Sequence, residues 1–576
     1  MTYKENYQKW LQFEALESSL QKELTHYDED EKLQKDAFGK NLEFGTGGMR
    51  GELGPGTNRL NIYTIRKASQ GVADYIKQFG NNAMLQGVAI AYDSRRQSKN
   101  FAIETATTFA LNGIPAYVYD SPKTTPQLSY TVRKLKNFMG IMITASHNPP
   151  SYNGYKVYGE DGAQLTLTAA NAVIQCINSI QNELTLPQGD LPTLKDSGSI
   201  TIIDDHLNTS YLNELLTIPH HPELLKNTTL KTVFTPLHGA SGETVQKMFD
   251  LVHYKNIHYV EEQLQPNGEF PTVDLPNPEE KQAFTYAILK GQQVDADILL
   301  AVDPDGDRVG LAVKAKNQYQ LLSGNQTGAI LLNYILSQLN EKNSIPKNAI
   351  AFKTIVTSEL GRAISKSYDI AMEDVLTGFK FIGEKIKTYE VDASQQFLFG
   401  YEESYGYLIK DFCRDKDAMQ ATLALTEAAA YYKAQNKTLL DVLEELYVQH
   451  GYFLEELTSI TKKGLDGATA ISNALTQLRE NPLTEIAGFK VEIQEDYLTG
   501  IRTYNDKATT EVINLPAANV LKYFLEDNSW ICVRPSGTEP KIKYYFGVRS
   551  STAEESVKKV TQLNLQFSTY MDNLLS

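Results

Sequence analysis

Short apolar runs alternate along the chain with longer segments in which apolar residues recur at helical spacing. Residues 87–92, 140–144 and 298–302 are runs of this kind, rich in β-branched side chains, which is typical of buried parallel strands. Their alternation with amphipathic segments predicts layered α/β domains. The first 40 residues are instead polar, with apolar residues at helical spacing. They predict a helical arm on the surface of the first domain.

The same pattern divides the chain, whose 576 residues are enough for three to five domains at about 100–200 residues each. Boundaries are expected near residue 205, near residue 325 and within 455–485, the last marked by turn-forming glycine, asparagine and proline. The last ~90 residues are expected to form a smaller unit, a size that is common for domains. The predicted parts are 1–40, 41–205, 206–325, 326–455 and 456–576.

Composition and charge narrow the function. Hydrophobic residues make up 41% of the chain and charged residues 22%, as in folded proteins with a large core. A net charge of −15 argues against nucleic acid as a partner, because a phosphate backbone requires a basic surface. A small anionic substrate stays compatible with this charge, since a few arginines and lysines in a cleft can bind one phosphate.

No segment predicts secretion, a membrane span or a thiolate site. The N-terminal residues lack the apolar run of a signal peptide, and no apolar stretch reaches the ~18 residues that cross a bilayer. Cys176, Cys413 and Cys532 are far apart and form no C-x-x-C pair, so neither a disulfide framework nor a zinc site is expected. We predict a cytoplasmic protein without a membrane partner.

Four loops that follow predicted strands carry the candidate chemistry, near residues 144–156, 303–308, 376–404 and 534–543. Open α/β sheets bind their ligands at the ends of strands. Because these loops are widely separated in the sequence, they predict one site in a cleft between several domains.

The first loop, residues 144–150, has the sequence Thr-Ala-Ser-His-Asn-Pro-Pro. Ser146 lies beside His147 at a strand end, where a serine can be a nucleophile, and the Asn-Pro-Pro segment restrains the loop. Lys156 follows shortly after and could pair with a phosphate or transfer a proton. Alone, the loop is ambiguous, because Ser146 and Asn148 could equally cap a turn. It is not the Gly-x-Ser-x-Gly turn of hydrolases.

The second loop places Asp303, Asp305 and Asp307 at alternate positions around Gly306, with Arg308 next. Three carboxylates can converge on one hard divalent cation where a glycine permits a tight turn. An EF-hand is disfavoured because a lysine stands where that motif needs its bidentate glutamate. A phosphoryl oxygen on a serine would supply a fourth ligand. The alternative is a solvated acidic turn, in which the carboxylates would repel one another.

The third group of residues suits a phosphorylated sugar. Thr377, Gly378 and Lys380 form a small turn followed by a lysine. Glu402 and Ser404 fall on one side of an extended segment, where a carboxylate and a hydroxyl can bind vicinal sugar hydroxyls. Each segment, taken alone, could also be an ordinary surface turn.

The fourth loop, residues 534–540, combines an arginine, two hydroxyls and a glycine, a set that can bind a phosphate dianion. Two lysines follow it. A glycine-rich stretch at residues 44–51 also ends near an arginine, but it matches no nucleotide-binding motif. The residues concerned are Arg534, Ser536, Gly537, Thr538, Lys541, Lys543 and Arg50.

Taken in this order, the loops resemble those of the α-D-phosphohexomutase family. Residues 144–150 resemble its phosphoserine loop and residues 303–308 its metal loop. Residues 377–380 with 402–404 resemble its sugar-specificity segments, and residues 534–538 its phosphate-binding loop. The resemblance extends over nearly the whole chain after the helical arm, which itself is similar to that of the longer phosphoglucomutase branch, a branch related to the phosphopentomutases.

The resemblance implies a fold and a reaction. The fold would be α/β, with four domains around a central cleft: three related α/β units with mixed sheets and a smaller C-terminal α+β domain. The reaction would interconvert α-D-glucose 1-phosphate and glucose 6-phosphate. It would use one Mg²⁺ per chain, with glucose 1,6-bisphosphate as activator and intermediate. The chain would act as a monomer or small homo-oligomer on a small phosphosugar.

The family's roles can be carried onto this sequence residue by residue. Ser146 would carry the phosphoryl group, and with Asp303, Asp305 and Asp307 it would hold the metal. Lys380 is the favoured proton-transfer group, with Lys156 and His147 as alternatives. The residues expected to neutralise the phosphoryl group are Arg50 and Arg308, and those expected to bind substrate are Thr377, Gly378, Glu402, Ser404, Arg534, Ser536, Gly537, Thr538 and Lys543.

Other functions stay open at this point. The substrate could be a pentose or mannose phosphate, because no residue discriminates between these sugars. A metal-dependent sugar phosphatase would use an aspartate of residues 303–307 as its nucleophile. A non-catalytic sensor of sugar phosphates could also retain the four loops.

Overall fold

The computed structural model describes residues 2–45, 47–462, 464–507, 509–536 and 541–575. The chain forms two compact units. The first comprises Met1–Thr327 and Phe379–Leu439, and the second Gly328–Gly378 and Leu440–Ser576. The finer division expected at residues 40, 205, 325 and 455 stays a prediction. Among the described residues, no helix combines the length and apolar character that crossing a membrane requires.

The first unit begins with short helices joined by an aromatic cluster. They are α1 (Tyr3–Leu11), α2 (Ser18–Thr25) and α3 (Glu31–Phe38). The Thr2 side chain starts α1 with a capping box, which satisfies amide donors of the first turn. Trp10 is fully buried and contacts Phe38 and Tyr63 edge to face. Its indole Nε1 donates a hydrogen bond of 2.9 Å to Glu183, so the arm is fixed by both packing and polar contacts.

A mixed sheet follows the arm. Its strands are β1 (Phe44–Gly45), β2 (Gly48–Glu52), β3 (Val88–Tyr92), β4 (Ala116–Tyr119), β5 (Met139–Ile143), β6 (Tyr152–Gly159) and β7 (Ile200–Ile203). They lie in the order β1-β2-β6-β5-β3-β4-β7. The pairs among β5, β3, β4 and β7 are parallel, whereas β1, β2 and β6 pair antiparallel.

Helices pack on this sheet. They are α4 (Ile62–Lys77), α5 (Asn81–Gln86), α6 (Ser98–Leu111), α7 (Thr125–Leu135), α8 (Leu167–Ser179) and α9 (Leu191–Asp196). Along β3, Val88 and Ile90 belong to one apolar cluster, while Ala89 and Ala91 belong to another. Since successive strand residues point to opposite faces, both faces of β3 are covered. A strand buried on both faces needs the continuous apolar run seen in the sequence.

A second mixed sheet follows. Its strands are β8 (Thr232–Thr235), β9 (Ile257–Tyr259), β10 (Ile298–Val302), β11 (Val309–Ala315) and β12 (Gln318–Leu321). They lie in the order β12-β11-β10-β8-β9. Its helices are α10 (Asp205–Leu215), α11 (Pro222–Asn227), α12 (Gly242–Leu251), α13 (Glu261–Leu264), a 3₁₀ helix (Lys281–Phe284) and α14 (Thr285–Val294). β10 and β11 pair antiparallel from Val302↔Val309 onward, so residues 303–308 form the turn between them.

The chain then passes between the two units. The next elements are α15 (Gly324–Glu341), β13 (Ala349–Thr354), α16 (Leu360–Ser367), β14 (Ala371–Val375), α17 (Phe379–Asp392), β15 (Gln396–Glu402), β16 (Gly406–Leu408), α18 (Ala418–Lys433) and α19 (Leu439–His450). In the second unit β13 and β14 pair in parallel. In the first unit β15 and β16 form an antiparallel hairpin.

The C-terminal part of the second unit is an antiparallel sheet with helices. Its elements are β17 (Tyr452–Thr461), α20 (Gly464–Glu480), β18 (Glu485–Ile486), β19 (Phe489–Asp496), β20 (Ile501–Tyr504), β21 (Thr509–Val512), β22 (Leu521–Leu525), β23 (Trp530–Pro535), β24 (Lys541–Ser550) and α21 (Ala553–Leu574). The strand order is β17-β24-β23-β22-β19-β20-β21, with β18 paired to β19. Apolar residues of α20 and α21 share one core with the sheet. Mixed α/β sheets followed by this α+β part confirm the predicted fold class.

The packing of Trp10 leads to a stability prediction. Trp10→Ala should lower the free energy of unfolding of the first unit by about 3–5 kcal/mol, because it removes a large buried side chain and leaves a cavity. Urea denaturation followed by circular dichroism measures the change. Leu11→Ala is the matched control, because the neighbouring Leu11 is 37% exposed and should change stability by under about 1 kcal/mol. Equal effects of the two substitutions would contradict the prediction.

Candidate active site

Three buried carboxylates meet in the turn between β10 and β11. One ligand oxygen from each of Asp303, Asp305 and Asp307 lies within 4.8 Å of the other two. Gly306 has a φ of +71°, a left-handed conformation that glycine adopts without the strain of a side chain. The chain can therefore reverse its direction within residues 303–308, the turn that contains the three aspartates. All three are at most 2% exposed, so water does not screen their mutual repulsion.

The donor set fits a divalent cation. Among the described residues, Asp305 Oδ1 and Asp307 Oδ1 are buried and accept no hydrogen bond, although buried polar atoms are normally satisfied. Burial raises the pKa of Asp303, and the neighbouring carboxylates of Asp305 and Asp307 raise it further. Oxygen ligands that repel one another and lack donors are the kind that hard divalent cations bind. The three aspartates could thus hold one such ion.

Two ammonium groups partly neutralise the carboxylates. Lys156 Nζ lies 2.8 Å from Asp305 Oδ2 and 3.6 Å from Asp307 Oδ2, and Lys416 Nζ lies 3.2 Å from Asp307 Oδ2. Burial acts to raise the pKa of Asp305, but the Lys156 charge outweighs it and keeps that pKa well below its usual range. Thr125 Oγ1 also donates to Asp305 Oδ2 at 2.9 Å. Asp305 is therefore ionised and already charge-paired.

Ser146 lies directly against this group. Its hydroxyl donates to Asp303 Oδ2 at 2.7 Å, and its Oγ lies 3.2 Å from His147 Nδ1. Its φ of +52° is unusual for a residue with a side chain and costs about 1–3 kcal/mol. Its backbone N–H donates to Thr144 Oγ1 at 2.8 Å. A serine held in a strained conformation at this position is typical of a functional residue.

The three candidate proton-transfer groups have different environments. Burial, together with the charges of Arg308 and Arg50, lowers the pKa of His147 well below its ordinary value, so its imidazole is neutral near pH 7. Burial tends to lower the pKa of Lys156, but Asp305 and Asp307 raise it above its ordinary value, so this lysine keeps its proton. Burial lowers the pKa of Lys380 to about 8. Of the two lysines, Lys380 is the one that can release a proton near neutrality.

The predicted sugar residues of the first unit approach the carboxylates through the hairpin of β15 and β16. Gly406 pairs with Glu402 in the hairpin and forms a bridge with Arg308 of the aspartate turn. Arg308 Nη1 donates to Ser404 O at 3.1 Å and to Glu279 Oε1 at 2.8 Å. The hairpin tip, with Glu402 buried, is thus attached to the turn that holds the aspartates.

Arg50 approaches the serine loop from β2. Its Nη1 donates to Asn148 Oδ1 at 2.7 Å, and the side chain is exposed. β2 pairs with β6 so that Arg50 lies opposite Gly154. A β-carbon at Gly154 would lie 2.4 Å from Thr144 O, so a glycine is required for this close approach. The Arg50 guanidinium is therefore held at the serine loop, at a residue two positions after Ser146.

The remaining predicted residues belong to the second unit. Thr377 and Gly378 follow β14, and Arg534, Ser536 and Lys543 lie on or next to β23 and β24. Arg534 is directly opposite Lys543 in the β23–β24 pair. Like charges directly opposite each other destabilise a sheet, and an anion bound to both side chains would offset their repulsion. Gly537 and Thr538 lie outside the described residues.

Sequence reasoning missed several residues that hold the site. Lys416 lies in an Arg-Asp-Lys-Asp segment before α18, where alternating charges next to a buried helix were a usable signal. Asp93 follows β3 at the same sheet edge as Thr144, and its Oδ2 accepts from Thr144 Oγ1 at 2.6 Å. Thr125 and Arg95 gave no signal, because their contacts depend on tertiary structure alone.

The sequence also matches models of a known protein family. Models described as phosphoglucomutase/phosphomannomutase, alpha/beta/alpha domains I, II and III, match residues 41–184, 209–316 and 323–450, and the C-terminal domain model of the same family matches residues 490–561. A phosphoglucomutase of Staphylococcus aureus (strain bovine RF122 / ET3-1) is 38% identical over 532 residues, which is 92% of this chain and 94% of that protein. These matches confirm the resemblance inferred from the loops.

Solved structures share the fold. The chain is similar to pp63/parafusin, a phosphoglucomutase from Paramecium in its open form, with a TM-score of 0.66, 17% identity and coverage of 93% and 95% of the two chains. It is also similar to a phosphoglucomutase/phosphomannomutase family protein from Burkholderia thailandensis, with a TM-score of 0.64, 16% identity and coverage of 92% and 97%. Both likenesses concern the fold.

The carboxylate geometry leads to a prediction about cation binding. A divalent cation should raise the melting temperature of the protein, because a ligand at 100 times its Kd stabilises the folded state by about 2.7 kcal/mol. Differential scanning fluorimetry with magnesium chloride and with EDTA measures the shift. Asp307→Asn should lose most of the shift, whereas Asp274→Asn, on an exposed carboxylate, should keep it. A full shift in Asp307→Asn would show that the cation binds elsewhere.

Proposed function

The chain belongs to the phosphoglucomutase/phosphomannomutase family, and from this premise we propose that it interconverts α-D-glucose 1-phosphate and glucose 6-phosphate through a phosphorylated Ser146. The observation that carries the proposal is the contact of Ser146 Oγ with the buried carboxylates, 2.7 Å from Asp303 Oδ2. A hydroxyl in a plain acidic turn would not need this strained and fully enclosed arrangement.

The reaction consists of two phosphoryl transfers with the same residues. The phosphoryl group on Ser146 Oγ is attacked by the free hydroxyl of the sugar monophosphate, the O–P bond to Ser146 breaks, and glucose 1,6-bisphosphate forms. The bisphosphate then reverses its orientation in the site, and Ser146 Oγ attacks its other phosphoryl group. The sugar oxygen then leaves as the hydroxyl of the product. Phosphoryl transfer depends on positioning and on neutralising the charge of the phosphoryl oxygens, and this chain's residues serve both needs.

We assign the cation of the three aspartates as Mg²⁺, which prefers oxygen ligands and shares its coordination with phosphate. Asp303, Asp305 and Asp307 would hold it, with an oxygen of phosphorylated Ser146 as a further ligand. When bound, it supplies positive charge that stabilises the phosphoryl group during transfer. Arg50 and Arg308 add positive charge from the protein.

Lys380 is the group that takes the proton from the attacking sugar hydroxyl and returns it to the leaving oxygen in the second transfer. A base works best when its pKa lies near the working pH, and that of Lys380 is about 8. Lys156 stays protonated beside Asp305 and acts as a cation. His147, neutral and 3.2 Å from Ser146 Oγ, orients the hydroxyl.

We also assign substrate binding to two groups of residues. Glu402 and Ser404, with Thr377 and Gly378, would bind the ring hydroxyls. Arg534, Ser536, Gly537, Thr538 and Lys543 would bind the phosphate that does not react, through guanidinium, ammonium and amide donors. We propose a cytoplasmic enzyme acting on a small phosphosugar, as a monomer or small homo-oligomer.

The role of Ser146 leads to a prediction. Ser146→Ala should lower kcat by several orders of magnitude, because the phosphoryl group then has no oxygen to bind. A coupled assay of glucose 6-phosphate formation measures turnover, and intact mass spectrometry measures the phosphoryl group on the protein. Ser151→Ala is the matched control, because Ser151 is an exposed hydroxyl of the same loop. Phosphorylation and turnover that persist in Ser146→Ala would exclude the proposal.

A second prediction concerns Lys380 and pH. The base form of this lysine increases as pH rises through its pKa of about 8, so kcat/KM should increase between about pH 7 and 9. Lys380→Arg keeps a positive charge but cannot release a proton in this range, so its activity should fall and lose that dependence. Lys387→Arg, on the same helix with its ammonium 3.7 Å from Glu160, should behave as wild type. An unchanged pH profile in Lys380→Arg would refute the role.

The sugar preference is tested by comparing substrates, with the product of each measured directly. Turnover with the 1-phosphates of glucose, mannose, ribose and deoxyribose, compared as kcat/KM, should be highest for glucose. Steady release of inorganic phosphate from glucose 1-phosphate, without glucose 6-phosphate, would indicate a phosphatase instead.

A further inference from the structure

One buried arginine holds the serine loop from behind. Arg95 lies in the loop after β3 and is 3% exposed. Its Nη1 donates to the carbonyl oxygens of Pro149 at 2.8 Å and Tyr152 at 3.0 Å. Its Nη2 donates to the carbonyl oxygens of Ser146 at 2.5 Å and Asn148 at 2.5 Å. One guanidinium thus binds four carbonyl groups within a segment of seven residues, 146–152.

The guanidinium is itself held on two other sides. Its Nε lies 3.4 Å from Asp93 Oδ2, and its central carbon lies 5.0 Å from the centre of the Phe270 ring. Asp93 Oδ1 accepts a hydrogen bond of 2.9 Å from the Arg95 backbone N–H and one of 2.8 Å from Ser98 Oγ. The orientation of Arg95 is therefore fixed before any ligand binds.

Asp93 also holds the backbone N–H of Ser146, through the Thr144 side chain. Its Oδ2 accepts a hydrogen bond of 2.6 Å from Thr144 Oγ1, and Thr144 Oγ1 accepts one of 2.8 Å from the Ser146 backbone N–H. The Ser146 N–H is thus held through Thr144 and Asp93, while its C=O is held by Arg95. Because both peptide groups next to Ser146 are fixed, so is the direction of its side chain.

This arrangement explains how the loop keeps a conformation that it would otherwise leave. Ser146 has a φ of +52°, and a released loop would return to the more favourable negative φ. Its Oγ would then move from its position 2.7 Å from Asp303 Oδ2. A lysine could not replace the arginine, because its three donors radiate from one nitrogen and do not match two pairs of carbonyl groups.

We propose that Arg95, oriented by Asp93, is a positioning residue that fixes the Ser146 hydroxyl for phosphoryl transfer. The inference rests on the proposed phosphoserine chemistry. It assigns Arg95 no contact with the sugar or the phosphoryl group, so substrate binding should depend on it much less than the transfer step. Its loss should therefore affect kcat and the rate of Ser146 phosphorylation more than KM.

The test compares Arg95→Lys and Arg95→Ala with a neighbouring arginine. Arg96→Lys and Arg96→Ala are matched controls, because the Arg96 side chain is exposed and pairs with Glu269 outside the serine loop. The rate of phosphoryl transfer from glucose 1,6-bisphosphate to dephosphorylated protein is followed by quenched-flow intact mass spectrometry. Steady-state kcat and KM are measured on the same samples, after circular dichroism has established that each is folded.

Arg95→Lys should reduce the transfer rate and kcat by about 100-fold, the loss expected from a displacement of about 1 Å at the reacting group, with KM changed less than about threefold. Both Arg96 variants should stay within about threefold of wild type. Guanidinium ion at millimolar concentration should restore part of the transfer rate of Arg95→Ala and leave Arg96→Ala unchanged. Such rescue would not follow from a general loss of stability.

A folded Arg95→Lys protein with wild-type transfer would overturn the proposal. So would equal losses in the Arg95 and Arg96 variants, or a loss that appears in KM alone. If Arg95→Ala does not fold, Arg95→Lys alone decides, because it retains the positive charge next to Asp93. Failure of wild-type protein to become phosphorylated on Ser146 would refute the proposed function, a result distinct from normal phosphorylation of the Arg95 variant.

Discussion

The convergence of three carboxylates in one buried turn is the constraint on which the site depends. Charges that repel one another in a medium of low polarity need compensation, and here it comes from distant parts of the chain. Lys156 belongs to β6, Thr125 begins α7, and Lys416 precedes α18. The carboxylates of residues 303–307 therefore bind side chains from three elements that are far apart in the sequence.

This constraint also determines the position of Ser146. Ser146 contacts Asp303 with its backbone in the left-handed region. Other non-glycine residues share such a backbone, including Tyr405 at +65° and His238 at +62°. Conformations of this kind persist where the surroundings determine them fully. The Tyr405 carbonyl accepts a hydrogen bond of 3.1 Å from the backbone N–H of Val309, so the hairpin tip is bonded to the end of the aspartate turn.

Much of this architecture could be predicted from the sequence, because the signals were local. A buried strand leaves a continuous apolar run, and the loop after it carries the polar residues; this sufficed for Ser146 and for Asp303, Asp305 and Asp307. The partners of these residues could not be predicted in the same way. Arg95 binds backbone carbonyl groups, and a carbonyl acceptor leaves no trace in side-chain identity. Whether Lys156 faces water or two carboxylates is likewise decided only when β6 pairs with β5.

The two candidate lysines show why proton transfer has to be assigned from environment and not from residue type. Both are removed from water, which by itself favours the neutral amine. Beside Lys156 the charges of Asp305 and Asp307 reverse this effect and the pKa rises, whereas for Lys380 burial outweighs the opposing charge of Glu384 and the pKa falls to about 8. Lys156 is thereby a fixed cation, and Lys380 is the lysine to which we assign the role of base. Phosphoryl transfer to a sugar hydroxyl needs both, since charge must be neutralised and a proton removed. The same buried carboxylates that raise the pKa of Lys156 thus prevent it from acting as the base.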